Sequence, residues 1–297
     1  MEIKMEKNSS KIITGCGIGC GVFVLLLIIA GVFIYTYVKN TFEDVKQIEE
    51  SNQVLEAKYG KIEDYSPITF IDSSRLVTFI EIRDSINFYS SELSDAFNDI
   101  SKEIDKKLGG EHEDKSFWET MGLVNKGIKI VPKMINYFSE RSRLLLKNDF
   151  SPGEYYYYYT LGYYNHLKKN PGDGPAFDMT NNGGNGPGIQ FGNDKDEMKR
   201  QTEAIKRNRE VEIRYSLNKL FQQFFRNRIA ELDSSGIAND EYNILKTEFT
   251  RMIENDYRIP FEDELPNIIK FPANLDTKLE SSYNPQLNAI EMKQIVE

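Results

Sequence analysis

The sequence predicts an all-α protein with one N-terminal membrane-spanning helix, and three observations carry that reading. Between Lys11 and Lys39 lie 27 residues, Ile12–Val38, without a single charge. Beyond residue 67, apolar side chains recur in steps of three and four, the spacing of a helix face. No stretch sustains the apolar–polar alternation of a half-buried strand. The expected architecture is a transmembrane helix followed by a bundle of long antiparallel helices and an irregular Pro-containing C-terminal tail. Residues 1–11 form a short cytoplasmic N-terminus, 12–38 the span, 39–66 a stalk and connector, and 67–297 the helical domain.

The anchor comes first. A helix of this length rises roughly 40 Å, more than the ~30 Å of a bilayer's hydrocarbon core. A buried helix of a soluble domain would need a polar face, which the run lacks. A cleaved signal peptide fits poorly, because the run exceeds the usual apolar core and no A-x-A-like site follows it. Ile13-Thr14-Gly15-Cys16 looks like a lipoprotein signal, but its hydrophobic run follows the cysteine. Lys4, Lys7 and Lys11 place the N-terminus in the cytoplasm and the main domain in the periplasm or outside. Gly15, Gly17, Gly19 and Gly21 make two overlapping small-xxx-small pairs, which allow a transmembrane homodimer. The abundance of glycine in membrane spans is the plainer account of them.

Thr41 to Tyr59 reads as a helical stalk with Val45, Ile48, Leu55 and Tyr59 on one stripe, stopped by Gly60. A long helix follows, capped by Asp72 or Ser73. Its stripe runs Leu76, Phe79, Ile86, Tyr89, Leu93, Phe97, Ile100, Ile104 and Leu108, and Arg83 sits where a hydrophobe is expected. The next helix, about Ser116 to Asn148, contains Pro132, so a kink or two helices end to end are expected. Ser151-Pro152-Gly153-Glu154 is the best helix start in the chain, with a capping serine, a first-turn proline and a glutamate completing a capping box. Tyr155–Tyr159, Tyr163 and Tyr164 wrap more than a full turn, so this helix must pack on several sides.

Residues 170–194 are rich in Gly, Asn, Asp and Pro and read as a flexible loop. Further helices are expected over about Asp196–Leu232 and Asn239–Asn255. Prolines 260, 266, 272 and 285 then limit the tail to short helical pieces that wrap over the bundle.

The chain carries 37 basic and 46 acidic side chains; beyond residue 39 the balance is 33 against 44, about −11. An acidic domain without a basic stripe is a poor match for the electrostatic footprint of nucleic-acid binding, so no nucleic-acid partner is expected. Both cysteines, Cys16 and Cys20, lie at the start of the span, leaving the domain without disulfide, thiol nucleophile or thiolate metal site. His112, in Glu111-His112-Glu113-Asp114, lacks metal-ligand spacing, and His166 suits the carboxyl end of its helix. None of the metalloprotease, nucleophile-elbow or phosphate-loop motifs is present. No cofactor, metal or catalytic residue is assigned.

One polar constellation stands out. Arg83 and Glu154 both lie beside apolar stripes, where a lone charge costs several kcal/mol and a hydrogen-bonded pair roughly breaks even. They are expected to pair inside the bundle, or to border a ligand cleft with Tyr157. Arg75-Leu76-x-x-Phe79-Ile80-x-x-Arg83, Ser151-Pro152-Gly153-Glu154-Tyr155 and Arg258-Ile259-Pro260-Phe261 leading to Leu265-Pro266 together resemble a group of uncharacterised bacterial single-pass membrane proteins. Members have a Gly/Cys-rich anchor and a helical domain. The resemblance implies a bacterial source and no activity. The expected function is therefore non-enzymatic: a single-pass protein of the bacterial cell envelope, in the inner membrane, acting on an unknown protein partner. The alternatives are a small-molecule or peptide sensor with a tyrosine-lined pocket and, third, a hydrolase without recognisable motifs.

Overall fold

The computed structural model describes residue 46, residues 49–67, 73–108, 117–175, 195–235, the positions 243, 246, 247, 250 and 253, and residues 275–296. The anchor, its four glycines, His112, most of the glycine-rich loop and residues 254–274 lie outside the described residues. Contacts divide the chain into residues 1–47 and 48–297, and all that follows concerns the second unit. Every regular element among the described residues is helical, and none contains a strand. No helix among them is long and apolar enough to cross a membrane.

Residues 49–59 form α1, which buries Leu55. The lower part of the expected stalk is thus packed against the domain. Gly60 ends it in the left-handed region (φ +78°), where a side chain would be strained. A 3-10 turn, Ile62–Asp64, follows. It lies so close to the start of the tyrosine helix that a Cβ on Gly153 would stand 2.3 Å from Tyr65 Cβ and 2.5 Å from the Ile62 carbonyl oxygen.

The long helix expected after residue 72 is two helices, α2 (Ser73–Ser85) and α3 (Asn87–Leu108), with a turn at Ile86. Ile86 N–H still donates to the Ile82 carbonyl (3.1 Å) and Ser90 N–H to the Ile86 carbonyl (3.0 Å), so the interruption is slight. The next helix, α4 (Phe117–Lys147), is one unbroken element with Pro132 inside it. It packs along α3. Its C-terminus closes with Asp149 left-handed (φ 49°) and Phe150 N–H reaching back to the Leu145 carbonyl at 2.9 Å.

Ser151 caps α5 (Pro152–Tyr159) as its sequence requires, its Oγ accepting from Glu154 N–H at 3.0 Å. The tyrosine helix is buried on every side, and it continues as a π-helical segment, Thr160–His166. Then come α6 (Lys195–Ser234) and the helical positions between 243 and 253. The described end of the tail is ordered helix: α7 (Asp276–Ser281) and α8 (Pro285–Val296). Asn284 starts α8, with Oδ1 accepting from Gln286 N–H at 3.0 Å and Pro285 at the first helical position. In its wrapping over the bundle, α8 buries Leu287, Asn288, Ile290, Glu291 and Met292 and packs on α3 and α6.

Candidate functional site

The polar centre of the domain forms where α8 meets the tyrosine helix. Asn288, Glu291 and Gln294 recur every three residues on α8 and so share one face. Tyrosine hydroxyls meet all three. Tyr155 donates to Glu291 Oε1 (3.0 Å), while Tyr156 reaches the Glu291 carbonyl (3.0 Å) and Gln294 Oε1 (2.9 Å). Tyr159 and Tyr164 both donate to Asn288 Oδ1, and Asn288 Nδ2 holds the Pro171 carbonyl at 2.7 Å.

The π segment explains how Tyr164 joins Tyr159. Five residues along an α-helix a side chain stands roughly 140° round the axis. The i→i+5 pattern, seen in Leu167 N–H donating to the Gly162 carbonyl, swings it back to the same side.

Two arginines converge on Glu291. Arg83, from α2, binds Oε1 through Nη1, and Tyr137 also donates to Oε1. Arg83 further donates to Tyr155 (2.7 Å), Tyr163 (3.1 Å) and the Ser282 carbonyl (3.1 Å). Arg141, from α4, donates through Nη1 to Glu291 Oε2 (2.8 Å) and through Nη2 to Gln294 Oε1 (2.5 Å). The side chains of Arg83, Arg141 and Glu291 are 1%, 5% and 0% exposed.

Burial alone would push Glu291 up, but Arg83 and then Arg141 outweigh it and hold the carboxyl below the usual carboxylate range. Burial pushes Tyr156 up to about 12 and the other cluster tyrosines, 137, 155 and 163, upward as well. Fixed cations, a fixed carboxylate and neutral phenols leave no group in this cluster poised to exchange a proton near neutral pH.

The residues singled out from the sequence are not brought together. Arg83 is buried and paired, but with Glu291. Glu154 is taken by Arg75, whose Nε donates to Oε1 at 2.6 Å and whose Nη2 completes the fork. The glutamate therefore serves this pair, while the serine half of the expected capping box is present. Tyr157 lies elsewhere, buried and stacked on Phe221 at 5.6 Å and flanked by Phe224 and Tyr65.

Sequence reasoning met Arg75 only as part of a motif and gave it no role, and it missed Arg141, Asn288, Glu291 and Gln294. Arg141 had a signal: it continues the apolar stripe Phe138–Leu145 just as Arg83 interrupts its own. His166 bonds Asp276 Oδ1 at 2.8 Å. Among the described residues, no group of three or more His, Cys, Asp and Glu could hold a metal ion.

A cavity of about 620 Å³ opens beside the cluster. Leu55 and Glu56 of α1, Lys61 to Glu63, Arg141 and Leu145 of α4, Pro152 and Gln294 form its wall. Protein-family models, curated proteins and solved structures all lack a match to this chain.

Proposed function

We propose that this chain is a membrane-anchored, non-enzymatic helical module of a bacterial cell envelope that acts by contact with another protein. The uncharged run Ile12–Val38 supports the anchor, and the lysines before it support a domain outside the cytoplasm. One observation carries the contact reading. Val211 and Tyr215, one turn apart on α6, are 62% and 61% exposed, while Ile213, Leu217, Phe221 and Phe224 of the same helix are buried. Lys219 lies 4.4 Å from the Tyr215 ring centroid, bracing that ring on the surface. An exposed aromatic next to an aliphatic residue is the composition of an interface anchor. The tyrosine-pocket alternative loses support because the tyrosines close on one another and on α8.

The test places a photo-crosslinking amino acid at position 215 of the intact protein in its native membrane. One recurrent protein adduct, absent when the same group replaces the exposed Asp84, is expected. Equal labelling at both positions, or none at 215, would sink the contact reading.

A further inference from the structure

The cluster beside the cavity holds two guanidinium groups against one carboxylate, so its buried part carries an excess positive charge. Excess charge in a poorly solvated interior is costly, several kcal/mol per uncompensated ion. Arg75 and Glu154 contribute nothing to the balance, since they neutralise each other. One donor of the cluster is also idle: Arg141 Nε is buried and has no hydrogen-bond partner. Arg141 and Gln294 are the cluster residues that line the cavity, and Arg141 is the charged one. Its Nη1 is spent on Glu291 Oε2 and Tyr156 (3.3 Å), and its Nη2 on Gln294.

From this geometry we infer that the cavity is a binding site for a small zwitterion with a free carboxylate, an α-amino acid, whose carboxylate neutralises Arg141. The wall supplies the rest of the ligand's chemistry. Leu55, Ile62, Leu145 and Pro152 offer apolar surface for an aliphatic body. Exposed Glu56 and Glu63 stand against a simple dianion such as phosphate, and they suit an ammonium group. Lys61, also exposed, adds a second cation beside them. The volume lies within the usual range for small-molecule sites, roughly 300–1,000 Å³. The site is separate from the α6 face and stands or falls independently of it.

The experiment is calorimetric titration of the full chain in mild detergent with each common α-amino acid in turn, then with the carboxamide of the best binder. Saturable binding by an amino acid is expected, at least about tenfold weaker for its carboxamide, a difference of ~1.4 kcal/mol. Gln294→Glu puts a carboxylate against Arg141 while keeping an acceptor for Nη2 and Tyr156. That variant should raise the unfolding midpoint and abolish binding. Three results overturn the proposal: no saturable heat with any amino acid up to about 10 mM, equal binding of the carboxamide, or unchanged binding by Gln294→Glu.

Discussion

Two arginine–glutamate arrangements engage the tyrosine helix, and they differ in stoichiometry and in wetness. Arg75 and Glu154 meet one to one, as a bidentate fork, with side chains 26% and 11% exposed. The guanidinium also rests 4.3 Å from the Phe150 ring centroid and donates to the Asp149 carbonyl at 2.9 Å. It thereby ties down the reversal between α4 and α5. At the other arrangement two guanidinium groups share Glu291, nearly sealed from water. The first is a local clasp whose charges cancel, and losing one member exposes its partner to nearby solvent. The second joins α2, α4, α5 and α8 through one carboxylate, so its loss strands two cations in the interior.

The largest expected effect breaks that comparison directly. Glu291→Gln should destabilise the domain by about 3–5 kcal/mol, as removal of one member of a buried ion pair does. Glu154→Gln should cost about 1–2 kcal/mol, the loss of a charge-assisted hydrogen bond near the surface. Denaturant unfolding of the intact protein in detergent measures both. Equal costs would mean that burial and stoichiometry do not separate the two arrangements.

Much of this architecture was legible and its polar centre was not, for a physical reason. The serine cap at Ser151, the all-helical class and the several-sided packing of the tyrosines follow from local spacing and capping chemistry. Arg83 was visible because it interrupts a hydrophobic stripe. Its partner was not, because the bond to Glu291 spans 208 positions and periodicity carries no information about distant pairing. Glu154 was paired with Arg83 because both lie beside apolar and aromatic residues, yet the Glu154 carboxylate is held by Arg75. In the tail Pro285 marks a boundary, as expected, and it does so by opening α8, where a first-turn proline costs no hydrogen bond.

Arg83→Met sharpens the comparison from the cation side. It converts the two-to-one cluster into a one-to-one pair of Glu291 with Arg141, so the excess charge disappears. Tyr163 and the Ser282 carbonyl lose a partner, which costs about 1–3 kcal/mol. The variant should therefore remain folded and be less damaged than Glu291→Gln, although both remove the same ion pair. The reverse order, read from the same unfolding curves, would show that Arg83's bonds to tyrosine and backbone outweigh charge balance.

Acid provides a milder probe. Glu291 is ionised in the fold and its pKa there is depressed, so its stabilisation is fully present above the unfolded value, about 4.3. It is lost as pH falls through the lower folded value. Melting temperature should be insensitive to this group between pH 7 and 5 and fall below about 4. In Glu291→Gln the part of the acid limb due to this carboxylate should vanish. A wild-type decline already complete by pH 5 would mean that Glu291 is not held ionised by its arginines.

The smallest effect is expected at a third pairing, which marks the solvent-exposed end of the comparison. Lys58 Nζ lies 2.9 Å from Asp149 Oδ1, with side chains 45% and 77% exposed, and Tyr59 donates to the same oxygen at 3.0 Å. Water solvates and screens these charges, and two long side chains lose freedom in meeting, so such pairs add little. Asp149 also holds a left-handed backbone, which asparagine tolerates well. Asp149→Asn therefore keeps the turn while removing the charge, and its melting temperature should match the wild type within measurement error. A loss as large as that of Glu154→Gln would mean that exposure does not grade these pairs. The ordering from Glu291 through Glu154 to Asp149 would then need a cause other than desolvation.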